Sequence, residues 1–378
     1  MESLKKALQG IKDPRRTRGG HILHKLEDII IIGLSTILSS GADFTDMEEF
    51  GKQREEWLKK FLELPNGIPD SDTFRRVFER IDPEALSECL YDWLGCHMEE
   101  GKVIAVDGKT IRGSKSESHR AYHVVSAFAA ENQLVLGELV TEEKSNEITA
   151  VPELLDSLNI EGSIVTADAM SCQKGIVEKI QEKKAEYVIV LKGNQPTLLE
   201  NVSLYFRDFA QELPYIVTKE KDHGRIEKRE YRLLTDISWL PEQDEWVGLR
   251  GVGMVRTTVT KNGETSSDTR YFITSLLEVE QFAYAVRKHW AIENQLHWSL
   301  DVIFGEDSSR ARKDMSPLNL NIFAKLLLLC ANTPILVAGS VFRKNVLLPH
   351  LIQIVSSISS SLNSKCGRHW NFIRTIVP

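Results

Sequence analysis

Two short apolar runs, each leading directly into an aspartate, constrain the fold of this chain more than any other feature. Residues 103–106 precede Asp107, and residues 163–167 precede Asp168. Runs of this length and composition predict buried strands. A carboxylate at the end of a buried strand is costly unless a partner compensates its charge, and a divalent cation is the usual partner. The pattern therefore predicts a buried sheet with a metal-binding edge, although the dipeptide Asp107-Gly108 alone is also typical of a turn.

The neighbouring segments predict an α/β fold with a mixed sheet. The expected order is strands at 102–109, 121–130 and 134–141, a helix to about 158, a strand at 163–168, a helix at 173–184 and a strand at 187–191. Three strands, a helix, and then strand, helix and strand is the order of an RNase H-like fold, which has helices on both faces of its sheet. The carboxyl ends of parallel strands form the usual site in such a sheet, and Asp168 follows one of them.

The chain has 378 residues, which is too long for one core, so we expect more than one domain. Residues 1–98 are expected to form an all-α domain, with helices at 26–38 and 46–62 and others beginning at 71 and 83. This domain could bind DNA or could serve in packing or dimerisation, and the sequence favours neither role over the other. Residues 99–335 form the expected RNase H-like domain, with a β-rich insertion at about 213–276. A 336–378 tail of atypical sequence follows.

A third acidic residue, Glu293, lies in a helix expected from 278 to about 304. His289, Glu293 and His297 are spaced four residues apart and would share one helix face. A zinc site there is the less favoured alternative, because three ligands from one helix strain tetrahedral geometry. The acids downstream are alternative third ligands for the aspartates, namely Asp301, Glu306 and Asp307.

Two tryptophans, Trp290 and Trp298, flank Glu293. We expect both to anchor this helix in the core, with base stacking as the alternative. The apolar segments 29–38 and 318–337 are expected to be buried helices, because the first is too short to span a bilayer and the second is interrupted by polar residues and Pro334.

Charge and cysteine content limit the function classes. A net charge of -7 argues against a protein that simply coats DNA, but local basic segments decide nucleic-acid affinity more than the total does. The five cysteines have no paired short spacing, and no basic-then-apolar leader opens the sequence. We therefore expect free thiols in a reducing compartment and a cytoplasmic protein, which would be nucleoid-associated if it binds DNA.

Three basic segments occur, at 12–25, 109–120 and 219–232. Each alone is typical of a solvated loop, whereas three together favour a polyanionic partner. The loop Lys192-Gly-Asn-Gln195 follows a predicted strand on the site edge and could hold a phosphate or simply be a polar connection.

Several of these segments together resemble the bacterial insertion-sequence transposases of the DDE class, in the H-repeat-associated branch. The similarity covers roughly residues 10–335, and its last stretch is the most specific. The stretches are Asp13-Pro-Arg-Arg16, Asp72-Thr-Phe-Arg-Arg-Val77, Ala105-Val-Asp-Gly-Lys-Thr110, Lys144-Ser-Asn-Glu-Ile-Thr-Ala150, Thr166-Ala-Asp-Ala-Met170 with Cys172-Gln-Lys174, Lys192-Gly-Asn-Gln195, His223-Gly-Arg225, and His289-Trp-Ala-Ile-Glu-Asn-Gln-Leu-His-Trp-Ser-Leu-Asp-Val302.

The resemblance implies an RNase H-like core with a β-rich insertion behind an N-terminal associated domain. Its catalytic and metal-binding acids would be Asp107, Asp168 and Glu293. Related transposases often carry a Tyr-Arg-Glu-Lys signature, but here the Arg position holds His289 and the Lys position holds Leu300. Phosphate-binding roles therefore do not transfer to those two positions, and the tail after about residue 334 also departs from the family.

The expected function is DNA transposition by two-metal chemistry. Asp107 and Asp168 would bridge or flank two Mg²⁺ ions roughly 4 Å apart, Glu293 would complete one coordination shell, and Mn²⁺ should substitute. The partners would be terminal inverted repeats and target DNA, bound by a homodimer. The expected DNA contacts are Arg15, Arg16, Lys109, Arg112, Lys192, Asn194, Arg225, His289 and Trp298. Two alternatives stay open, a structure-selective nuclease that does not join strands and an inactive DNA-binding relic.

Overall fold

The structure, a computed structural model, describes residues 2–15, 22–39, 41–94, 103–117, 119–141, 146–222 and 224–332. The chain divides into two compact units. The helical unit contains the described parts of residues 1–97, 111–121 and 296 onward, and the sheet unit contains those of 98–110 and 122–295. Arg16 and the tail at 336–378 lie outside the described residues, so the expectations about them stay as predictions.

The described residues of the N-terminal part of the helical unit form six helices: α1 (Glu2–Leu8), α2 (Leu26–Leu38), α3 (Phe44–Gln53), α4 (Glu55–Leu58), α5 (Ser71–Phe78) and α6 (Pro83–Leu94). Local sequence explains several of their starts. Asp43 and Asp46 form a capping box at α3, and the Asp70 carboxylate accepts the amide of Thr73 at α5. The prediction of a single helix over 46–62 is wrong, because the helix is interrupted at Arg54, between α3 and α4.

Two further helices of this unit are described, α11 (Trp298–Val302) and α12 (Ser316–Asn332). Phe323 of α12 packs edge-on against Phe78, with ring centroids 5.4 Å apart. The Asn319 amide donates to the carbonyls of Phe78 and Ile81 at 2.8 and 3.0 Å. Those bonds satisfy carbonyls at the end of α5, which has no further turn to do so.

The sheet unit contains a nine-stranded sheet: β1 (Val103–Thr110), β2 (His123–Ala129), β3 (Leu134–Thr141), β4 (Ile164–Ala167), β5 (Glu186–Leu191), β6 (Tyr215–Asp222), β7 (Arg225–Leu234), β8 (Gly251–Lys261) and β9 (Glu264–Thr274). The spatial order is β3-β2-β1-β4-β5-β9-β8-β7-β6. Strand β1 pairs in parallel with β4, β4 pairs in parallel with β5, and all other pairs are antiparallel. The expected β-rich insertion therefore continues the central sheet through the pairing of β5 with β9.

Helices cover both faces of this sheet: α7 (Glu147–Ser157), α8 (Lys174–Glu182), α9 (Pro196–Phe209) and α10 (Val279–Ala291). Ile104 and Val106 belong to a core with α7 and α8. On the other face, Phe282 of α10 contacts Phe272 of β9, with ring centroids 5.5 Å apart. Both faces of the sheet are therefore buried under helices, as is usual for a sheet with parallel strands at its centre. The predicted fold class, an α/β RNase H-like mixed sheet behind an all-helical N-terminal region, is confirmed.

Both long apolar segments behave as predicted where they are described. Residues 29–36 of α2 are buried, as are most described side chains of α12. Within the described ranges, no helix has the length and apolar character needed to cross a bilayer. Cys89 and Cys172 are free thiols.

Candidate active site

Asp107 lies inside strand β1 and not in a turn. Asp107 and Gly108 pair with Ser126 and Val125 of β2 in regular antiparallel register. The turn interpretation of the Asp-Gly dipeptide is therefore wrong, and the strand predicted from the apolar run is correct. The backbone of Asp107 is held by this pairing with β2, and the residues before it also pair with β4, so Asp107 stands on a rigid element.

The register of the parallel strands brings the two aspartates to one edge of the sheet. Val106 of β1 lies opposite Ala167 of β4. Asp107 and Asp168 are therefore the next residues on two neighbouring parallel strands. This edge is where the carboxyl ends of parallel strands create a site.

Glu293 approaches Asp107 from the turn that follows helix α10, and α10 packs across β1, β4 and β5. A carboxylate oxygen of Glu293 lies within 4.8 Å of one of Asp107. The helix changes to a π-helical turn, Ile292–His297, at Glu293. Turns of this kind are rare and occur frequently at functional sites, and the regular helix expected to residue 304 does not include one.

The two carboxyl groups interact strongly. Burial, followed by the negative charge of Glu293, raises the pKa of Asp107 to about 7. The charge of Glu147 and a side-chain hydrogen bond with Glu293 act in the same direction, whereas the Gly108 amide opposes them. Two carboxyls held this close favour a shared proton or a bound cation, because like charges at short range cannot both ionise at low cost. The donor set therefore fits a divalent metal ion.

Asp168 has a different environment. Its Oδ1 lies 3.3 Å from the Nζ of Lys192, and both side chains are about half exposed. Burial alone would raise the pKa of Asp168, but the Ala169 amide, Lys192 and the charge of His289 together lower it. Asp168 is thus the carboxylate that stays ionised next to Asp107.

The loop after β5 also holds the backbone around Asp168. The Asn194 amide donates to the carbonyl of Ala169 at 2.7 Å and to that of Cys172 at 3.4 Å. Asn194 therefore stabilises the segment that carries Asp168, and Lys192 is the residue of this loop whose charge faces the site.

His289 lies one helical turn before Glu293 and contacts the sheet. Its Nδ1 is 3.0 Å from the Oγ1 of Thr166, two residues before Asp168. Within the described ranges, His289 belongs to no cluster of potential metal ligands. The zinc alternative on this helix face, which would use this histidine, stays a prediction. The histidine ties helix α10 to strand β4.

A groove of about 480 Å³ lies beside Thr166 and His289, between α10 and strands of the insertion. The guanidinium of Arg270 lies over the ring of Trp290, 5.0 Å from its centroid. The charged side chains that line the groove are Arg225, Arg229, Arg270, Arg287, Glu227 and Asp268. Four arginines against two acids give the groove lining an excess of positive charge. All four form ion pairs, Arg225 and Arg229 with Glu227, Arg270 with Asp268, and Arg287 with Glu220.

Both tryptophans near Glu293 are more exposed than expected. Trp298 is 54% exposed and Trp290 is 36% exposed. The prediction that they anchor the core is wrong, because the α10 residues that bury against the sheet are Phe282, Ala285 and Val286.

Three other residues expected to contact DNA lie outside the groove lining. Lys109 is in β1, two residues beyond Asp107. In the helical unit, Arg15 forms a two-bonded ion pair with Asp13, at 2.9 and 2.6 Å. Arg112 is largely exposed and lies 3.8 Å from Asp307. Their DNA-binding roles stay as predictions.

The alternative third ligands form a separate cluster in the helical unit. Potential ligand atoms of Asp301, Glu306 and Asp307 lie within 4.8 Å of one another. The Glu306 carboxylate accepts the amide of Asn321, and Asp307 accepts the backbone amide of Arg112 at 3.2 Å. These acids have local hydrogen-bond partners, so we retain Glu293 as the third acid.

Sequence reasoning missed a buried pair next to Asp107, formed by His123 and Glu147. Their side chains are 2.5 Å apart, between Nε2 and Oε1. Glu147 is the first residue of α7. A signal was present, since Lys144-Ser-Asn-Glu-Ile-Thr-Ala150 is one of the stretches that carry the resemblance.

Comparison with known protein families gives two matches along this chain. A family model described as "DDE_Tnp_1-associated" matches residues 5–94. A model described as "Transposase DDE domain" matches residues 99–330, more than half of the chain.

Several curated proteins are similar over most of their length. A provisionally named transposase, YncI of Escherichia coli O157:H7, is 39% identical over 335 residues, which cover 83% of this chain and 83% of the relative. A provisionally named H repeat-associated transposase, YhhI of Escherichia coli strain K12, is 39% identical over 83% of this chain and 86% of the relative. An uncharacterised protein of Xanthobacter autotrophicus is 41% identical over 70% of this chain and 92% of its own length.

Proposed function

Because this chain belongs to the DDE transposases, in the H-repeat-associated branch, we propose that it cuts the ends of an insertion sequence and joins them to target DNA. The reaction would be phosphoryl transfer supported by Mg²⁺, with Mn²⁺ able to substitute. The observation that carries the proposal is the close approach of the Asp107 and Glu293 carboxyls at the sheet edge that also holds Asp168.

The three carboxylates come from separate elements of one unit. Asp107 is fixed in β1, Asp168 follows β4, and Glu293 lies in the π-helical turn that follows α10, the helix that packs across both strands. When bound by these carboxylates, divalent ions would activate the attacking oxygen and stabilise the leaving one. No Ser or Tyr nucleophile is needed, since water or a 3′-hydroxyl attacks the phosphorus directly.

Basic residues beside the acids suit a DNA strand. Lys192 is half exposed next to Asp168, where its ammonium can turn from the carboxylate to a phosphate oxygen. His289 adjoins the basic groove between α10 and the insertion. Phosphate contacts of this kind would position the strand without reading its sequence.

Both ends of an element must be held together for joining, which favours a homodimer on DNA. We propose terminal inverted repeats and target DNA as the substrates. Arg15, Arg16, Lys109, Arg112, Arg225 and Trp298 are further candidates for contacts with this DNA, whereas the Asn194 amide supports the Asp168 loop.

The first experiment incubates the full-length protein with a labelled duplex of the inverted repeat that flanks its gene, in Mg²⁺ or in EDTA. We expect Mg²⁺-dependent nicking by the wild type and none by Asp168→Asn, while both bind the duplex. Adding unlabelled target DNA should then give joined strands.

Each other result selects an alternative. Nicking without joined products would indicate a structure-selective nuclease. Binding without nicking would indicate an inactive DNA-binding relic. Nicking that survives Asp168→Asn would contradict the assignment of the acids.

A further inference from the structure

The buried pair His123–Glu147 lies on the opposite face of β1 from the proposed metal ligands. His123 is 2% exposed and Glu147 is 7% exposed. Their 2.5 Å contact joins strand β2 to the first residue of helix α7. A buried carboxylate needs compensation, which the imidazole and the amino end of α7 provide here.

The pair presses directly on the strand that carries Asp107. A Cβ atom added to Gly108 would lie 2.3 Å from Oε1 of Glu147 and 2.4 Å from Nε2 of His123. Real Cβ atoms do not come this close to other atoms, so the position accepts only glycine while the pair keeps its place. Gly108 therefore lets the pair contact the β1 backbone one residue after Asp107.

A third group continues the chain of contacts along the same face. The Oγ1 of Thr110 lies 2.9 Å from Nδ1 of His123. If Nε2 donates to Glu147, then Nδ1 accepts the Thr110 hydroxyl, so one neutral tautomer satisfies both contacts. The end of β1 is thus fixed to β2 and α7 through side chains, in addition to its backbone pairing.

We propose that the His123–Glu147 pair positions Asp107 for metal binding, and that the charge of Glu147 strengthens the attraction of this edge for a divalent cation. Successive strand residues point to opposite faces, so a pair that clamps Gly108 from one face sets the direction of Asp107 on the other. Glu147 would orient Asp107 through the backbone of β1 and would attract the cation through its negative charge, without contacting the metal itself. The inference rests on the proposed function, since it assumes that Asp107 is a metal ligand.

Manganese binding to the full-length protein without DNA tests the proposal. The titration compares wild type with Glu147→Ala, Glu147→Gln and Glu153→Gln. Glu153 is exposed on the same helix, so its variant removes the same charge without touching His123. Asp107→Asn identifies the signal that comes from this site, because it should remove that binding.

We expect Glu147→Ala to weaken Mn²⁺ binding about 10-fold, in the range found when groups that orient metal ligands are removed. Glu147→Gln keeps an oxygen for the His123 N–H but has no charge, so it should recover part of the loss. Glu153→Gln should bind like the wild type. Melting curves show which variants are folded at the temperature of the titration. If Glu147→Ala is unfolded at that temperature, the comparison of Glu147→Gln with wild type and Glu153→Gln decides the test.

Unchanged Mn²⁺ affinity in both Glu147 variants would overturn the positioning role, and it would leave the proposed function intact if the wild type nicks DNA. Equal losses in Glu147→Gln and Glu153→Gln would also overturn it, since general charge would then explain the effect. If the Glu147 variants bind Mn²⁺ weakly but wild type never nicks end DNA, the positioning role stands and the proposed function fails.

Discussion

The ammonium of Lys192 lies 3.3 Å from a carboxylate oxygen of Asp168, and both side chains are more than half exposed. Exposed pairs of this kind add little to stability, typically about 0–1 kcal/mol. The pair keeps a positive charge beside an ionised acid, in a place that a DNA phosphate can reach. Its expected importance is therefore for binding and not for folding.

Lys192→Ala should weaken binding to end DNA and to unrelated duplex by the same factor, because a lysine contacts phosphate without reading bases. The slope of log affinity against log salt should fall by about 1, as expected for the loss of one phosphate contact. Lys174→Ala is the matched control, since Lys174 forms a similarly exposed pair with Glu245, which is not one of the three proposed catalytic acids. An unchanged salt slope in Lys192→Ala would contradict the phosphate contact.

Glu293→Gln should abolish Mg²⁺-dependent nicking and weaken Mn²⁺ binding, because it removes one of the two carboxylates that face each other at Asp107. Asp301→Asn should retain both activities, since Asp301 belongs to the separate acidic cluster of the helical unit. The measurements are nicking of labelled end DNA and manganese titration. Loss of nicking in Asp301→Asn with retention in Glu293→Gln would assign the third acid to Asp301.

Much of the fold could be predicted because its signals are local. The apolar runs at 103–106 and 163–167 predict buried strands from the composition of a few neighbouring residues. The continuous sheet through β5 and β9 could not be predicted, because these strands are separated by more than 70 residues and their pairing is decided by tertiary packing. The break at Arg54 was missed for a related reason, since the apolar period runs on across it.

The site was predictable only in part. Asp107 and Asp168 follow from the cost of placing acids after buried strands, whereas Glu293 was one of several acids near one helix and was selected through the family resemblance. The π-helical turn at Glu293 has no sequence signature, and the pairing of His123 with Glu147 joins residues 24 positions apart. Such contacts depend on which face of the sheet each helix covers, and the local periodicity of the sequence does not specify that choice.

Asp28 of the helical unit should give a pH-dependent contribution to stability. Burial raises the pKa of Asp28 above its usual range, although its carboxylate accepts the Leu64 amide at 3.2 Å. A folded pKa above the unfolded one means that the folded state binds the proton more tightly. Stability is therefore highest below the unfolded pKa, near 3.9, and falls as pH rises through the folded value.

Asp28→Asn should raise the melting temperature at neutral pH and have a smaller effect in acid, because Asn keeps an acceptor for Leu64 without the buried charge. Asp28→Ala should destabilise by roughly 1–3 kcal/mol, since the Leu64 amide loses its partner. Thermal unfolding at several pH values measures both. A gain in Asp28→Asn that grows toward acid pH would contradict the assigned sign.

Gly253→Ala should move Glu293 away from Asp107 without changing either residue. A Cβ at position 253 of β8 would lie 2.3 Å from Cζ of Phe282, a fully buried residue through which α10 packs on the sheet. Helix α10 would have to shift, and overpacking of this kind typically costs about 1–3 kcal/mol. Because Glu293 directly follows this helix, Mn²⁺ binding should weaken even at temperatures where the variant is folded.

Gly175→Ala is the matched control for this change. Gly175 lies in α8, and a Cβ there meets nothing within 4 Å. Alanine in a helix is more favourable than glycine by about 0.5–1 kcal/mol, so this variant should melt at a slightly higher temperature and bind Mn²⁺ normally. If Gly253→Ala lowers the melting temperature but binds Mn²⁺ like Gly175→Ala, the packing of Phe282 against the sheet does not determine where Glu293 lies, and the π-helical turn must fix its position independently.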